Sequence, residues 1–183
     1  MIAMTIMAMA GAVMFLGVET SLRSAIESQD EAIAAGLAEQ LIDEVLGHHY
    51  TSPIIGDPYQ TPLGPSAAEA AGDGRELFDD ADDFAGYTAY PAEDTWGIAL
   101  GTGDGAGGQR HPSFRLPESR FSRWKQQIDM YYVDEDSPWG KLTGSATSDV
   151  RCIEVQILQL SSNGQWKTLA TAKRPFVYVP PQP

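Results

Sequence analysis

Met1-Ile-Ala-Met-Thr-Ile-Met-Ala-Met-Ala-Gly-Ala-Val-Met-Phe-Leu-Gly-Val18 is the stretch that decides how this chain is read. It holds one non-glycine polar residue, Thr5, and no charge. A cleaved signal peptide needs a basic n-region before its apolar run, and none precedes this one. A buried helix of a soluble domain shows a polar stripe within its first turns, and this run shows none. The third reading is a membrane-spanning helix. About 20 apolar residues cross a bilayer. The run is slightly short of that, so the helix is expected to extend upstream of Met1.

From Glu19 the character changes while the helical spacing continues. Leu22, Ile26, Ile33, Leu37, Leu41, Ile42, Val45 and Leu46 fall mostly three, four or seven apart, and Glu19, Arg23, Glu27, Asp30, Glu31, Glu39 and Asp43 occupy the other faces. That is amphipathic spacing. Gly47 is the expected C-cap, and His48, His49, Tyr50 and Pro53 end the pattern. One helix from 1 to 46 is roughly 70 Å long at 1.5 Å per residue. Half of it suits lipid or other apolar helices, and half suits the surface of a domain.

Residues 48–122 are rich in Gly, Pro and Asp and read as irregular loops. The run Gly101-Thr-Gly-Asp-Gly-Ala-Gly-Gly108 lacks the lysine of a phosphate-binding loop, has no strand before it and no apolar helix after it, and reads as a surface loop. The densest chemistry is Glu76-Leu-Phe-Asp79-Asp80-Ala-Asp82-Asp83-Phe84-Ala-Gly86-Tyr87. Asp79, Asp80, Asp82 and Asp83 form either an Asx-rich turn with Phe78, Phe84 and Tyr87 pinned to the core, or a loop stabilised by Ca²⁺. The spacing does not fit an EF-hand. The same letters satisfy the DDxxD of isoprenoid synthases, but those are large all-helical proteins.

Residues 123–183 read as an antiparallel sheet. Trp124, Ile128, Met130 and Tyr132 alternate with Lys125, Gln127, Asp129 and Tyr131 as a half-buried strand. Asp134–Gly140 reads as a loop. Val150–Leu160 is a second strand with Arg151 at its edge, and Asn163-Gly164 marks a hairpin. Trp166–Ala172 is the third, and Phe176–Val179 adds a fourth. The fold class is α+β: a long N-terminal helix, apolar in 1–18 and amphipathic in 19–47, packs on this C-terminal sheet with Gly/Pro/Asp-rich loops between.

A net charge of −13 and a pI of about 4.4 oppose binding to nucleic acid through a basic patch, although one pole could still be locally basic. A single cysteine, Cys152, excludes an internal disulfide and a multi-cysteine metal site. On an alternating strand it reads as a small buried residue. The three histidines, His48, His49 and His111, make no triad with a nucleophile elbow. Acids abound, but nothing singles out a glycosidase pair. The chain reads as a non-enzyme.

The run from Ala3 to Val18 followed by Glu19-Thr-Ser-Leu, with the later Ala34-Ala-Gly-Leu-Ala-Glu-Gln-Leu-Ile-Asp-Glu-Val45, resembles the N-terminal helix of type IV pilins and type II secretion pseudopilins. Asp-Asp-x-Asp-Asp-aromatic runs followed by a glycine and an aromatic are similar to those of prepilin-type proteins, where they shape the loop after the helix. The basic leader, the glycine–phenylalanine junction and the early glutamate of the family do not stand before Ala3, and are expected upstream. The resemblance implies a filament subunit, a pilin or minor pseudopilin, held in the inner membrane by a single pass with its domain periplasmic or extracellular. Its expected partners are other pilin subunits, secretion-machine components or cargo. Ile6, Met7, Gly11, Val13, Met14, Phe15, Gly17 and Val18 are the residues expected to pack in a filament core or membrane. Gly11 and Gly17, with Ala8, Ala10 and Ala12, allow close approach of helices. The alternative is a membrane-anchored periplasmic binding module with an acidic, calcium-binding loop.

Overall fold

A computed structural model describes residues 2–53 and 56–180, and within them the side chains of all but 2–6, 8, 10 and 118. Its element order is α1 (Ile2–Leu46), β1 (Thr88–Ala89), β2 (Trp124–Asp134), β3 (Ser137–Lys141), β4 (Val150–Leu160) and β5 (Trp166–Val177), with short 3₁₀ turns in the loop region. The protein is α+β, with one long helix packed on a five-stranded antiparallel sheet. The sheet order is β1-β2-β4-β5, with β3 pairing to the far end of β2.

The helix is packed over only part of its length. Ala34, Ala38, Leu41, Ile42 and Val45 recur three or four apart and are buried. This face lies on Trp124, Ile128, Met130, Ile153, Val155 and Ile157 of β2 and β4. Toward the N-terminus the first buried residue is Asp30, and every described side chain before it is exposed. Some 28 residues of α1, about 42 Å at 1.5 Å per residue, therefore stand clear of the domain. No helix among the described residues is long and apolar enough to cross a membrane. The span expected over 1–18 falls partly outside the described side chains, as does the expected packing residue Ile6.

The helix stops at Leu46, where the Gly47 N–H donates to the carbonyls of Asp43 (3.0 Å) and Glu44 (3.1 Å). Gly47 does not enter the left-handed region expected of a C-cap glycine. The Asn163-Gly164 turn is as expected, with Gly164 at φ +80°.

The strand assignments need three corrections. Ser137–Lys141, read as loop, pairs with the end of β2 as a short strand, its Trp139 exposed. Thr88–Ala89, inside the loop region, adds β1 along the edge of β2 that faces away from β4. The expected third and fourth strands are one continuous β5, in which Pro175 sits opposite Cys152. Proline fits there because β5 is last in the sheet order, so a missing N–H breaks no ladder beyond it. A register shift at Ile157/Leu158 absorbs the extra residue of the longer strand.

Burial sorts the helix into two energetic regimes. Ile42→Ala, at a position with 0% exposure, is expected to cost about 2–5 kcal/mol, whereas Leu22→Ala, 61% exposed, should leave stability within about 0.5 kcal/mol. Guanidinium denaturation of both variants in mild detergent is the measurement.

Candidate functional site

Two features stand out: the bare half of α1 and the acidic turn after it. On the bare half, Met7, Val13, Met14, Phe15 and Val18 are 80%, 69%, 75%, 77% and 59% exposed. Gly11 and Gly17 lie open beside them, with no atom within 4 Å of the place a Cβ would take. None of these residues touches the protein's own core. Below them Glu19 and Arg23 pair at 3.3 Å, and Leu22 and Ile26, on the adjoining stripe of the helix, stay apolar and exposed.

The acidic turn is built from the backbone outward. Asp80 Oδ1 accepts from the N–H groups of Asp82 (2.8 Å) and Asp83 (3.3 Å). Asp83 Oδ2 accepts from those of Asp79 (2.9 Å) and Asp80 (3.2 Å). Short carboxylates that bond to nearby N–H groups hold such a turn without help from a helix or sheet. Phe84 is fully buried and stacks edge-on to Phe78, which packs in turn on Tyr87. The turn is also tied to the helix end, because the Ala81 N–H donates to the His49 carbonyl at 2.8 Å and His48 packs on Phe84.

Two buried arginines lock the segment in place. Arg75 grips Glu44 of α1 with Nε at 2.9 Å and Nη2 at 3.1 Å, and donates from Nη1 to Tyr87 Oη at 3.0 Å. Arg151 of β4, expected at a strand edge, is instead 0% exposed. It reaches Asp82 Oδ1 at 3.4 Å, the Tyr50 carbonyl at 2.9 Å and the Pro58 carbonyl at 3.0 Å, and its guanidinium lies against the rings of Tyr50 and Tyr132. Nothing in the spacing of residues marks Arg75 or Arg151, since their partners lie 31 and 69 positions away.

The four aspartates separate by role. Asp82 belongs to Arg151, and Asp80 turns inward onto the backbone. Asp79 and Asp83 instead converge with Glu69, one carboxylate oxygen of each lying within 4.8 Å of the others. Sequence reading missed Glu69. Its signal is the Ser66-x-x-Glu69 spacing of a capping box, in which the Ser66 N–H donates to Glu69 Oε2 at 2.7 Å and Glu69 N–H to Ser66 Oγ at 3.4 Å. Asp79 Oδ1 is buried without a hydrogen-bond partner. Among the described residues these three are the set that could hold a hard cation. Cys152 is buried, and burial pushes its thiol pKa up, away from reactivity.

The chain matches no family model, no curated protein and no solved structure in comparisons with each.

Burial pushes the Asp80 carboxyl up to about 8, helped by hydrogen bonding to Asp82 and by the charges of Asp82 and Asp83. Burial also raises Asp83 to about 6; N–H bonds from Asp79 and Asp80 oppose this, and the charges of Glu69 and Asp82 add to it. Both folded-state values exceed the ordinary carboxylate value, so the folded protein holds protons that the unfolded chain releases. The resulting stabilisation is full below about pH 4 and is lost as pH rises through about 6 and then about 8. The denaturation midpoint is expected to fall between about pH 5 and pH 8.5, and Asp80→Asn should flatten that slope. Arg151→Ala, which strands Asp82 in the interior, is expected to cost about 3–5 kcal/mol in the same assay.

Proposed function

We propose that this protein is a structural subunit of a pilin or pseudopilin type, held in a membrane and joined to other subunits through the N-terminal half of α1. The observation that carries the reading is the bare half of α1, some 28 residues whose described side chains before Asp30 are all exposed. A row of exposed methionine, valine and phenylalanine is costly in water, at roughly 25 cal/mol per Å² of apolar surface. Lipid or the same segment of neighbouring subunits supplies the missing cover. The α+β layout, a helix passing from a bare half onto an antiparallel sheet, fits that class. No catalytic constellation is part of the reading: the histidines sit at the helix end and in a loop, and the thiol is shut in the core.

Cysteine cross-linking in membranes separates a filament subunit from a plain anchor. Phe15→Cys and Leu22→Cys are expected to give covalent dimers under mild oxidation, because bundled helices bring equivalent positions close. Cys152, buried in the domain, should give none. A monomer at both positions, with the protein still in the membrane fraction, leaves only the anchor.

A second reading rests on the buried, unpartnered Asp79 Oδ1 beside Asp83 and Glu69. In it the acidic turn takes up Ca²⁺, and the domain acts as an anchored module whose loops are ordered by the ion. Millimolar Ca²⁺ is then expected to raise the melting temperature by several degrees over a chelator control, and Asp83→Asn to abolish the rise. Equal melting temperatures with and without the ion would leave Asp79–Asp83 as a turn alone.

A further inference from the structure

The cations of this acidic protein are unevenly used. Of its 12 lysines and arginines, Arg23, Arg75, Arg120, Lys141, Arg151, Lys167, Lys173 and Arg174 form ion pairs. The four that form none among the described side chains are Arg110, Arg115, Arg123 and Lys125. They all fall in one segment of 16 residues, where Glu118 is the only acid. With acids outnumbering bases two to one across the chain, a random placement would leave few cations without a carboxylate.

This segment lies where α1 leaves the domain. Arg120 pairs with Asp30, the first buried residue of the helix. Gln159 at the end of β4 bonds to Asp30 at 3.5 Å, and Lys167 at the start of β5 pairs with Glu31 at 3.7 Å. Lys125 lies over the Trp166 ring at 4.3 Å, and Tyr90 stands edge-on to that ring at 5.2 Å. Trp166 and Tyr90 are 40% and 51% exposed, and Phe114 and Leu116 in the segment itself are 72% and 48% exposed. Arg115 lines the same hollow as Phe121 and Ser122. Cations without an ion pair among the described side chains, interleaved with amphipathic aromatics near the root of an exposed apolar helix, are the composition of a membrane-interface surface.

We propose that the face formed by Arg110–Lys125, Tyr90 and Trp166 docks on the anionic headgroups of the membrane that receives α1. The proposal rests on the membrane reading given above. From Asp30 to Val18 is about 18 Å along the helix. A headgroup layer and one Debye length together cover about 15 Å, and extended arginine side chains bridge the rest. The acidic loops on the remainder of the domain would then be held away from the same surface by repulsion, so the charge asymmetry orients the domain as well as attaching it. N–H bonds from Ala106 and Gly108 hold the Asp104 carboxyl below its usual range, and the charge of Arg110 adds to this, so Arg110 already has an acid near it. That leaves Arg115, Arg123 and Lys125 as the main contacts.

The test uses the full chain with Ser122→Cys, exposed within this face, carrying a fluorophore; buried Cys152 stays unlabelled. Energy transfer to headgroup-labelled lipid is read on phosphatidylcholine vesicles and on vesicles with about one third phosphatidylglycerol. Transfer is expected to be at least about twofold higher on the anionic vesicles and to fall back in about 0.5 M NaCl. Each cation near an anionic surface is worth about fivefold in partitioning. Arg115→Glu, Arg123→Glu and Lys125→Glu together should therefore remove the difference. Arg123→Glu alone, at an exposed site with no ion-pair partner among the described side chains, should reduce it even if the triple variant fails to fold. Equal transfer on both vesicles, or transfer untouched by Arg123→Glu, overturns the proposal. So does salt-sensitive self-association without lipid that accounts for the label's response. Flotation of the same samples separates the two readings. Protein that floats with both vesicles without an anionic preference keeps its membrane anchor and loses the docking face. Protein that floats with neither loses both.

Discussion

The fold depends on a cation with no exposure to water. Arg151 sits inside β4 at a position where strand alternation turns it toward the loops. Desolvating a guanidinium is expensive, and the cost is offset only when its donors are met and its charge is answered. Here two loop carbonyls, a tyrosine hydroxyl and the Asp82 carboxylate take up its terminal nitrogens, Tyr50 and Tyr132 cover its faces, and Nε is left without a partner among the described residues. Tyr132 belongs to β2, and the other partners, Tyr50, Pro58 and Asp82, come from three separate stretches of a loop region with little regular structure. One buried charge thereby organises a segment that has few apolar residues to organise itself.

Arg75 repeats the device on the helix side. By gripping Glu44 it ties the loop to the last turns of α1, and Tyr87, Glu93 and Thr95 complete the set. The acidic turn is thus clamped between helix and sheet by two positive charges, although the surrounding chain is strongly negative. A polar mooring of this kind suits a long loop region, since correct geometry is rewarded and a slipped register leaves a charge unpaired. A purely apolar contact would tolerate more arrangements.

The regular elements are legible in the sequence, and long-range partnerships are not. The three-and-four spacing of Leu41, Ile42 and Val45, the alternation of Trp124, Ile128 and Met130, and the Asn163-Gly164 turn each express a local period that one segment reveals alone. Ser137–Lys141 reads as a turn because of its proline, its glycine and its charged surround, while its pairing with the end of β2 decides the matter. The Asp79–Asp83 turn is visible as a concentration of carboxylates. Which of them pairs with Arg151 and which meets Glu69 depends on contacts across dozens of residues. Arg151 is misplaced by sequence for the same reason: a charge in a strand is ordinarily an edge residue, and only its distant partners make burial tolerable.

The last strand in the sheet has a further consequence. β5 runs for 12 residues with its outer side unpaired by any other strand among the described residues. A long open edge is a template for strand addition between copies. Pro175 removes one donor from that template, and Lys167, Lys173 and Arg174 keep the strand charged although each is paired with a carboxylate of its own chain. The edge of β5 is thereby blunted against cross-β pairing between copies of the domain.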